Sequence, residues 1–483
     1  MPKTAKTIFN TTEKSNFILN MKPEEYHGYN LKILLGFLIL MPLFCIPLEF
    51  ANVYSVPTMA LSITGVVAIV FVLIGFMKSE TPKNLFLPAG ILGAMLIWGL
   101  VSLFNAPYIG LALFGEDGRG EGWLASLFYA GFFLLGAQLG TDQNRLKLIN
   151  GMLWMGLAEC LWSFLQILPV HFPSYYQNLE PVLLFDLFLP SGLTGSPIFL
   201  TILLSMLLIP AMLGEIFSEK KSQKIFYWIC SVCFVIVSVK TQCLLGICAP
   251  IAAILIAAIY GITKKSGKSA IFSLVTTLLA FAVGLGLSYI APSINHSYSR
   301  ATGENVQIEN QFVLYDGAII WEDSSYRLIA SGYYIRNGAE NPNGSFEISS
   351  IPETYQFLNK GTANIIRLFP LTGSGQDSMA YVQRYQDADI ASNPNTFDRC
   401  YNYYLHLAGT TGIPMLILFI FLMGLVIIRG ISACRKSGNW MHFEILSTVI
   451  LYLLMMFLGT SCITVAPLFW MFAGICVNLK QAE

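Results

Sequence analysis

A glycine-rich loop surrounds Arg119, with the sequence LFGEDGRGEGW over residues 113–123. Glycines allow backbone N–H groups to approach a bound anion closely, and an arginine guanidinium can form two parallel hydrogen bonds with a phosphate. The pattern therefore fits a site for a phosphorylated lipid headgroup, with Glu121 orienting Arg119. It also fits a tight solvent loop in which Arg119 and Glu121 form an internal ion pair.

A second group of reactive side chains lies at 398–406, with the sequence DRCYNYYLH. On a continuous helix Asn402 and His406 would share a face, whereas Tyr401 would lie about 140° from His406. The unperturbed pKa of a tyrosine is about 10 and that of a histidine about 6.5, so a histidine is the better base at neutral pH. Arg399 could lower the pKa of Tyr401, hold a phosphate, or be a plain surface arginine. An aromatic belt at the membrane interface would also place tyrosines here.

Two further ionisable residues lie beside or within long apolar runs. Lys240 separates two such runs, where a lysine either contacts a headgroup or extends its amine to the interface. Glu159 falls inside an apolar run, and we interpret it as a structural residue that hydrogen-bonds a neighbouring helix. We expect no metal and no cofactor, since the pair Cys230 and Cys233 lies in an apolar run without a second pair.

The elements that must position these residues are membrane helices. Of 483 residues, 55% are hydrophobic and 12% are charged, whereas about 25% are charged in a typical soluble domain. The 28 Lys and Arg residues balance the 28 Asp and Glu residues, which leaves no basic excess for nucleic acid. These values exclude a soluble enzyme, a disordered chain and a nucleic-acid-binding protein. They predict an all-α, multi-pass membrane protein.

Apolar runs of the length that crosses a bilayer predict about twelve spans. We place them near 31–47, 57–77, 85–105, 123–140, 146–168, 193–215, 225–239, 241–263, 270–291, 402–428, 443–461 and 464–480. The predicted order is an N-terminal tail over 1–30, nine spans over 31–291, a large loop over 292–401 and three spans over 402–480. The break at 238–241, between the seventh and eighth spans, is very short.

Lysines and arginines concentrate in alternate short loops, which places those loops and both termini in the cytoplasm. No signal peptide is visible, so we expect the first span to anchor the chain. The large extracytoplasmic loop carries a predicted β-hairpin over 312–321, where Asp316-Gly317 separates two apolar runs. A second β stretch over 333–348 completes a small β insert, and a helix is predicted over 353–390 with a glycine-rich interruption at 373–375.

Four short motifs follow one another along the chain. After the loop at 113–122 come GLTGSP over 192–197, PLTGSGQD over 370–377, and the stretch NYYL with GTTGIP over 402–414. In this order they resemble the first outer loop and the motifs GxxGNP, PLLGxGPD and HNxYL…TGIP of the O-antigen ligase and O-antigen polymerase superfamily of bacterial membrane glycosyltransferases. Each motif is weak alone, so the resemblance depends on their order on a twelve-span bundle with a large loop after the ninth span.

The resemblance implies a metal-independent enzyme of the bacterial cytoplasmic membrane. Such an enzyme moves a glycan from a polyprenyl diphosphate carrier, embedded among membrane lipids, to an acceptor glycan or glycolipid at the outer face, as a ligase or a polymerase. The departing diphosphate accumulates negative charge that cations stabilise. The resemblance thus predicts that Arg119 and Lys240 contact the diphosphate, with Lys360 or Arg367 as a further cation.

A base must also take the proton of the acceptor hydroxyl. The resemblance predicts that His406 or Tyr401 lies near that hydroxyl, with Arg399 and Asn402 beside it. Tyr401 stands where the family has a histidine, and Leu189 stands where an arginine is common. These departures support a second hypothesis, a protein that binds or translocates a lipid-linked glycan without transferring it. A secondary transporter would need two matching halves with broken spans, a symmetry that the sequence lacks.

Overall fold

The computed structural model of the protein describes residues 21–44, 55–78, 81–115, 120–167, 190, 192–194, 196–241, 243–264, 266–290, 311–315, 318–322, 351–379, 381–382 and 399–479. The first ten helices are α1 Pro23–Phe44, α2 Ser55–Met77, α3 Phe86–Ser102, α4 Ile109–Phe114, α5 Trp123–Ala137, α6 Asp142–Ile167, α7 Pro197–Phe217, α8 Lys221–Lys240, α9 Leu244–Thr263 and α10 Gly267–Ile290. Strands β1 Gln311–Tyr315 and β2 Ala318–Glu322 follow, and then helices α11 Ile351–Leu368, α12 Tyr403–Thr411, α13 Ile413–Ser437, α14 Trp440–Met455 and α15 Ala466–Val477.

Eight helices within the described residues are long and apolar enough to cross a membrane. They are α2, α3 with its flanking turns, α6, α7, α8, α9, α10 and α13. Helices α5, α14 and α15 are also apolar but shorter, with 15, 16 and 12 residues. The protein is therefore a helical, multi-pass membrane protein. The total of twelve spans and the orientation of the termini stay predictions, and the tail before residue 21 lies outside the described residues.

The short break predicted at 238–241 is confirmed, because α8 ends at Lys240 and α9 begins at Leu244. The span predicted over 402–428 is wrong as one continuous helix, since α12 ends at Thr411 and α13 begins at Ile413. Gly412 lies between them with φ 87° and ψ 164°, a conformation that is essentially restricted to glycine. The two helices are thus separate elements.

Helix α7 forms the centre of the bundle. Its residues from Pro197 to Ile216 are all buried, and it packs against α8, α9, α14 and α6. A helix that is apolar on nearly every face has no solvent-facing side and is therefore buried among other helices. The central position of α7 brings its first turn into contact with several of the predicted site segments.

Glycines allow α5 and α15 to approach at backbone distance. A Cβ atom on Gly474 would overlap the carbonyl oxygen of Phe133, and one on Gly136 would lie 2.7 Å from the carbonyl oxygen of Met471. Small residues have this role where membrane helices pack closely, because lipid provides no hydrophobic driving force for their association. The close contact fixes α5, whose first residues contribute to the candidate site.

A polar network connects α5, α6 and α15 near the C-terminal end of α5. Buried Arg145 donates to Asp142 Oδ1 at 2.6 Å and to the carbonyl oxygen of Asn478 at 2.7 Å. The amide of Asn478 in turn donates to the carbonyl oxygen of Ala137 at 2.6 Å. The network therefore ties α6 to α5 and to the end of α15.

Replacing Arg145 by methionine should lower the free energy of unfolding by about 2 kcal/mol or more, because it leaves a carboxylate and a carbonyl without their cation. The penalty falls below that of a fully buried pair, since the side chain of Asp142 is 48% exposed. Chemical unfolding of the purified protein in detergent measures it. The exposed neighbour Lys147 provides the control Lys147→Met, and equal losses in both variants would contradict a special role for Arg145.

Strands β1 and β2 pair antiparallel, with Phe312 opposite Trp321 and Tyr315 opposite Ala318. They form over the residues for which the sequence predicts a hairpin. Residues 316–317 and the second predicted β stretch at 333–348 lie outside the described residues, so the complete β insert stays a prediction. The helix predicted over 353–390 is described as α11, which ends at Leu368, followed by the turn that holds the glycines of 373–375.

Candidate functional site

The glycine-rich loop is closed by contacts between its own ends. Gly115 and Gly120 have φ values of 91° and 65°, which are favourable for glycine. A Cβ on Gly115 would lie 2.7 Å from the backbone nitrogen of Glu121, and one on Gly122 would lie 2.7 Å from the carbonyl carbon of Leu113. The closure fixes Glu121 just before α5. Arg119 lies outside the described residues, so its predicted contact with a phosphate and its pairing with Glu121 stay predictions.

Two hydroxyl groups hold the carboxylate of Glu121. Ser461 donates from Oγ to Oε1 of Glu121 at 2.7 Å, and the hydroxyl of Tyr129 donates to the same oxygen at 3.4 Å. Ser461 lies between α14 and α15, whereas Tyr129 lies on α5. The carboxylate is therefore positioned by two elements that are far apart in sequence.

The third and fourth motifs bind one another through backbone hydrogen bonds. The N–H groups of Ser374 and Gly375 donate to the carbonyl oxygens of Gly409 and Thr410, each at 2.9 Å. The N–H of Ile413 donates to the carbonyl oxygen of Pro370 at 2.8 Å. This docking places the turn that ends at residue 377 against α12.

The turn carries two buried polar side chains, Gln376 and Asp377. Asp377 has φ 55°, in the left-handed region that aspartate tolerates better than most residues. Gln376 donates from Nε2 to Ser126 Oγ at 3.2 Å, while its Oε1 atom is buried without a hydrogen-bond partner. A buried amide oxygen of this kind can accept a hydrogen bond from a ligand.

The junction before α12 differs from the predicted continuous helix. Helix α12 begins at Tyr403, and Asn402 caps it, because Asn402 Oδ1 accepts from the N–H of Leu405 at 3.2 Å. Asn402 therefore uses its side-chain oxygen for the helix terminus. Tyr401 precedes the helix, so the angle of about 140° between Tyr401 and His406 does not apply. Tyr401 is half-buried and packs against both the main core and a smaller cluster that contains Cys400.

Cys400 fastens this junction to α11. Its thiol donates to Asn359 Oδ1 at 3.2 Å, and its side chain packs with Leu358 and Ile365. Burial raises the pKa of the Cys400 thiol above its usual value, so the thiol stays protonated and able to donate. The contact holds the backbone that leads into α12.

These segments enclose a cavity of about 80 Å³. By the same measure one water molecule needs roughly 10–15 Å³, so the cavity holds several waters or part of a polar ligand. Three motifs contribute to its wall. Its polar lining includes Glu121, Ser126, Tyr129, Gln376, Asp377 and His406, and Trp123, Tyr403 and Trp470 add aromatic surface.

Some of the predicted site residues line this cavity, and others do not. His406 is buried in the wall, and the half-buried Glu121 also lines it. Tyr401, Asn402 and Arg399 are not among the described lining residues.

Lys360 and Arg367 lie exposed on α11, away from the cavity wall. The exposed side of α11 faces away because Leu358, Thr362 and Ile365 occupy its buried side. Neither cation is therefore among the residues that line this cavity, and their predicted contact with a diphosphate stays a prediction.

Arg399 and Lys240 gather instead near the first turns of α7. The guanidinium of Arg399 lies 5.1 Å from the centre of the Phe199 ring, a cation–π contact. Lys240 is 1% exposed, and the adjacent Thr241 shares a hydrogen bond of 2.6 Å with Thr201. Two predicted cations are thus next to one helix N-terminus.

The second motif also lies at this end of α7. Leu193 donates its N–H to Glu159 Oε2 at 2.7 Å, so Glu159 supports the turn before α7. Glu159 therefore makes a structural hydrogen bond, but the predicted partner on a neighbouring helix is wrong, because the observed donor is a backbone N–H of a turn. A Cβ on Gly192 would lie 2.5 Å from the same carboxylate oxygen, which explains the glycine.

The sequence prediction missed Asp377, Gln376, Ser461 and the polar positions of α5. Gln376 and Asp377 lie inside the third motif, to which the sequence assigns no chemical role. Ser126 and Tyr129 are three residues apart in an otherwise apolar helix, which places them on one face. That spacing was the available signal. Ser461 had none, because its partner Glu121 is distant in sequence.

The fold and the cavity define the class, a helical multi-pass membrane protein with a polar cavity between its helices. Within the described ranges no group of three or more His, Cys, Asp or Glu residues is arranged to hold a metal ion. No known family model matches the chain, and no curated protein matches it either.

Proposed function

We propose that the protein is a glycosyltransferase of the bacterial cytoplasmic membrane. It would move a glycan from a polyprenyl diphosphate carrier to a hydroxyl of an acceptor glycan or glycolipid at the outer face. The proposal includes about twelve spans, cytoplasmic termini and an outer loop over 292–401. The observation that carries it is the cavity, because three of the four motifs that suggested this class contribute to its wall.

The chemistry of the wall suits a sugar with several hydroxyl groups. The carboxylates of Glu121 and Asp377 and the free Oε1 of Gln376 accept hydrogen bonds from hydroxyls. Trp123 and Trp470 supply apolar aromatic surface beside them. A few convergent polar groups on an otherwise apolar lining are typical of small-molecule sites.

The diphosphate is bonded to the anomeric carbon of the glycan, so we propose that it extends from the cavity toward the first turns of α7. Arg399 and Lys240 lie there, and a helix N-terminus favours a negative charge. Arg399 precedes α12 on the segment that leads to His406, so the cationic region and the cavity are linked by a short stretch of chain. Arg119 lies outside the described residues, and we propose that it also contacts the diphosphate.

In the proposed reaction the oxygen of the acceptor hydroxyl attacks the anomeric carbon of the donor sugar. The bond between that carbon and the diphosphate oxygen breaks, and the diphosphate leaves with the electron pair. His406 takes the proton of the acceptor hydroxyl, and Glu121 orients the hydroxyl by accepting a hydrogen bond from the sugar. The cations stabilise the charge that develops on the leaving group.

Release of polyprenyl diphosphate tests the proposal. The purified protein is incubated with a lipid-linked glycan donor and an acceptor. Both substrates are extracted from a strain that lacks the protein. We expect the wild type to release polyprenyl diphosphate. Glu121→Gln removes the carboxylate charge of Glu121 from the cavity and should release the carrier at least roughly tenfold more slowly.

The exposed Glu219, between α7 and α8, provides the matched control Glu219→Gln. This variant should release carrier at the wild-type rate. No release by the wild-type protein, with donor bound, would reject transfer.

A second candidate is a protein that binds or translocates the glycan without transferring it. The observation in its favour is that the wall brings together two carboxylates, and no Lys or Arg among the described residues lines it. Such a site binds hydroxyls more readily than it stabilises a departing diphosphate. Under this alternative the donor binds in the same assay and no polyprenyl diphosphate is released.

A further inference from the structure

A second cavity lies on the outer surface of the bundle, between α12, α13 and α14. This apolar groove has a volume of about 440 Å³. Its lining includes Tyr404, Leu416, Phe419, Ile420, Gly424 and Phe457. Ile420 and Phe457 are each 55% exposed, so the groove is open to the surrounding lipid.

A wall of aromatic rings separates the apolar groove from the polar cavity, with different rings on its two faces. Tyr403 and Trp470 line the cavity, whereas Tyr404 and Phe419 line the groove. The ring of Phe419 lies 5.6 Å from that of Tyr403 and 6.1 Å from that of Trp470, measured between centroids. On α13 the neighbouring residues Met415 and Leu416 divide in the same way, the first lining the cavity and the second the groove.

The groove extends from this wall along α13. Its lining runs from Leu416 to Ile427, a rise of about 16 Å on a helix. That length is roughly half of the hydrocarbon thickness of a bilayer. At its upper end the hydroxyl of Tyr404 donates to the carbonyl oxygen of Leu453 at 2.7 Å, which fixes the ring against α14. The groove is thus an open apolar surface that starts beside the polar cavity and follows α13.

We infer that the apolar groove binds the isoprenoid chain of the carrier whose glycan enters the polar cavity. The inference rests on the proposed function and adds the location of the tail. A lipid-linked glycan has a polar head joined to a long hydrocarbon chain, so a polar cavity beside an apolar groove matches both parts of one molecule. Burial of the first isoprene units would anchor the head at the cavity through the hydrophobic effect.

Gly424 gives a direct test because it lines the groove and a Cβ atom there meets no atom within 4 Å. Gly424→Leu places a larger side chain in the groove at a position where its Cβ meets no atom, and leucine is a better helix former than glycine. Gly286 on α10 also has nothing within 4 Å and is exposed. Gly286→Leu is therefore the matched control on another lipid-facing surface.

The probe is a polyprenyl monophosphate without a glycan, titrated into purified protein in detergent and measured by native mass spectrometry. We expect Gly424→Leu to weaken binding about tenfold, the loss that corresponds to about two displaced methylenes. Gly424→Ala should lose less, and Gly286→Leu should bind as the wild type does. Unchanged binding by Gly424→Leu, or equal losses in both leucine variants, would overturn the inference.

Competition with phosphatidylglycerol distinguishes the carrier chain from an ordinary lipid. Phosphatidylglycerol at equal concentration should not displace the polyprenyl probe, and equal displacement would show that the groove accepts any acyl chain and overturn the inference.

The transfer assay separates this proposal from the previous one. Probe binding that depends on Gly424, without any release of polyprenyl diphosphate, would reject transfer while supporting the groove. Release that is insensitive to Gly424→Leu would reject the groove while supporting transfer.

Discussion

Replacing His406 by alanine is expected to slow the release of polyprenyl diphosphate by at least about a hundredfold, the contribution typical of a positioned general base. The imidazole is buried in the wall of the cavity that also contains Glu121 and Asp377. Its backbone N–H donates to the carbonyl oxygen of Asn402 at 2.8 Å, in the capped first turn of α12. The rate is measured with purified protein, saturating donor and acceptor, so that loss of binding does not mimic loss of catalysis.

The same assay on Tyr401→Phe separates the two candidate bases. Tyr401 precedes α12 and is not among the described lining residues, so we expect this variant to keep the rate within a few-fold of the wild type. A large loss with Tyr401→Phe and a small loss with His406→Ala would reverse the assignment. Equal thermal unfolding temperatures of both variants exclude a difference in folding as the cause.

Gly412→Ala is expected to have the largest effect on stability, about 3 kcal/mol or more. Alanine is strained at φ 87° and ψ 164°, and its Cβ would overlap the carbonyl oxygen of Leu371. That oxygen also accepts from Trp98 Nε1 at 3.0 Å, so it cannot move without losing a second contact. The turn that carries Asp377 would be pushed away from α12, and transfer would be lost together with stability.

Gly438→Ala provides the matched control for this prediction. Gly438 also has a positive φ, 62°, but a Cβ there meets no atom within 4 Å. The Gly438→Ala variant should lose only about 1–2 kcal/mol of unfolding free energy, the penalty for a left-handed backbone. The rate of transfer should stay unchanged. Chemical unfolding in detergent measures both variants, and equal losses would show that backbone strain alone, without the contact to Leu371, accounts for the effect.

Predictions of local elements from the sequence were good where one physical signal dominates. Apolar runs predicted the eight helices that are long enough to cross a membrane, because each such helix must satisfy its backbone within lipid. The break at Lys240 was visible as a charge between apolar runs, and the pairing of β1 with β2 follows a hairpin pattern. The separation of α12 from α13 was not predicted, since the apolar pattern continues across Gly412.

The predicted cations show the limit of reasoning from residue type alone. Arg399 and Lys240 lie near the first turns of α7, whereas Lys360 and Arg367 lie exposed on α11. All four satisfy the same charge argument, and only packing distinguishes them. Helix α11 turns Leu358 and Ile365 inward, which leaves its charged residues facing away from the cavity.

The sequence by itself determined the membrane class, the positions of most helices and which segments carry reactive groups. These depend on hydropathy and local conformation, which are properties of neighbouring residues. Only the tertiary structure brought Glu121, Asp377, His406 and Ser461 to one cavity and set the apolar groove beside it. Such contacts join segments up to hundreds of residues apart, and the packing of α5, α12 and α15 decides them. No local pattern encodes that packing.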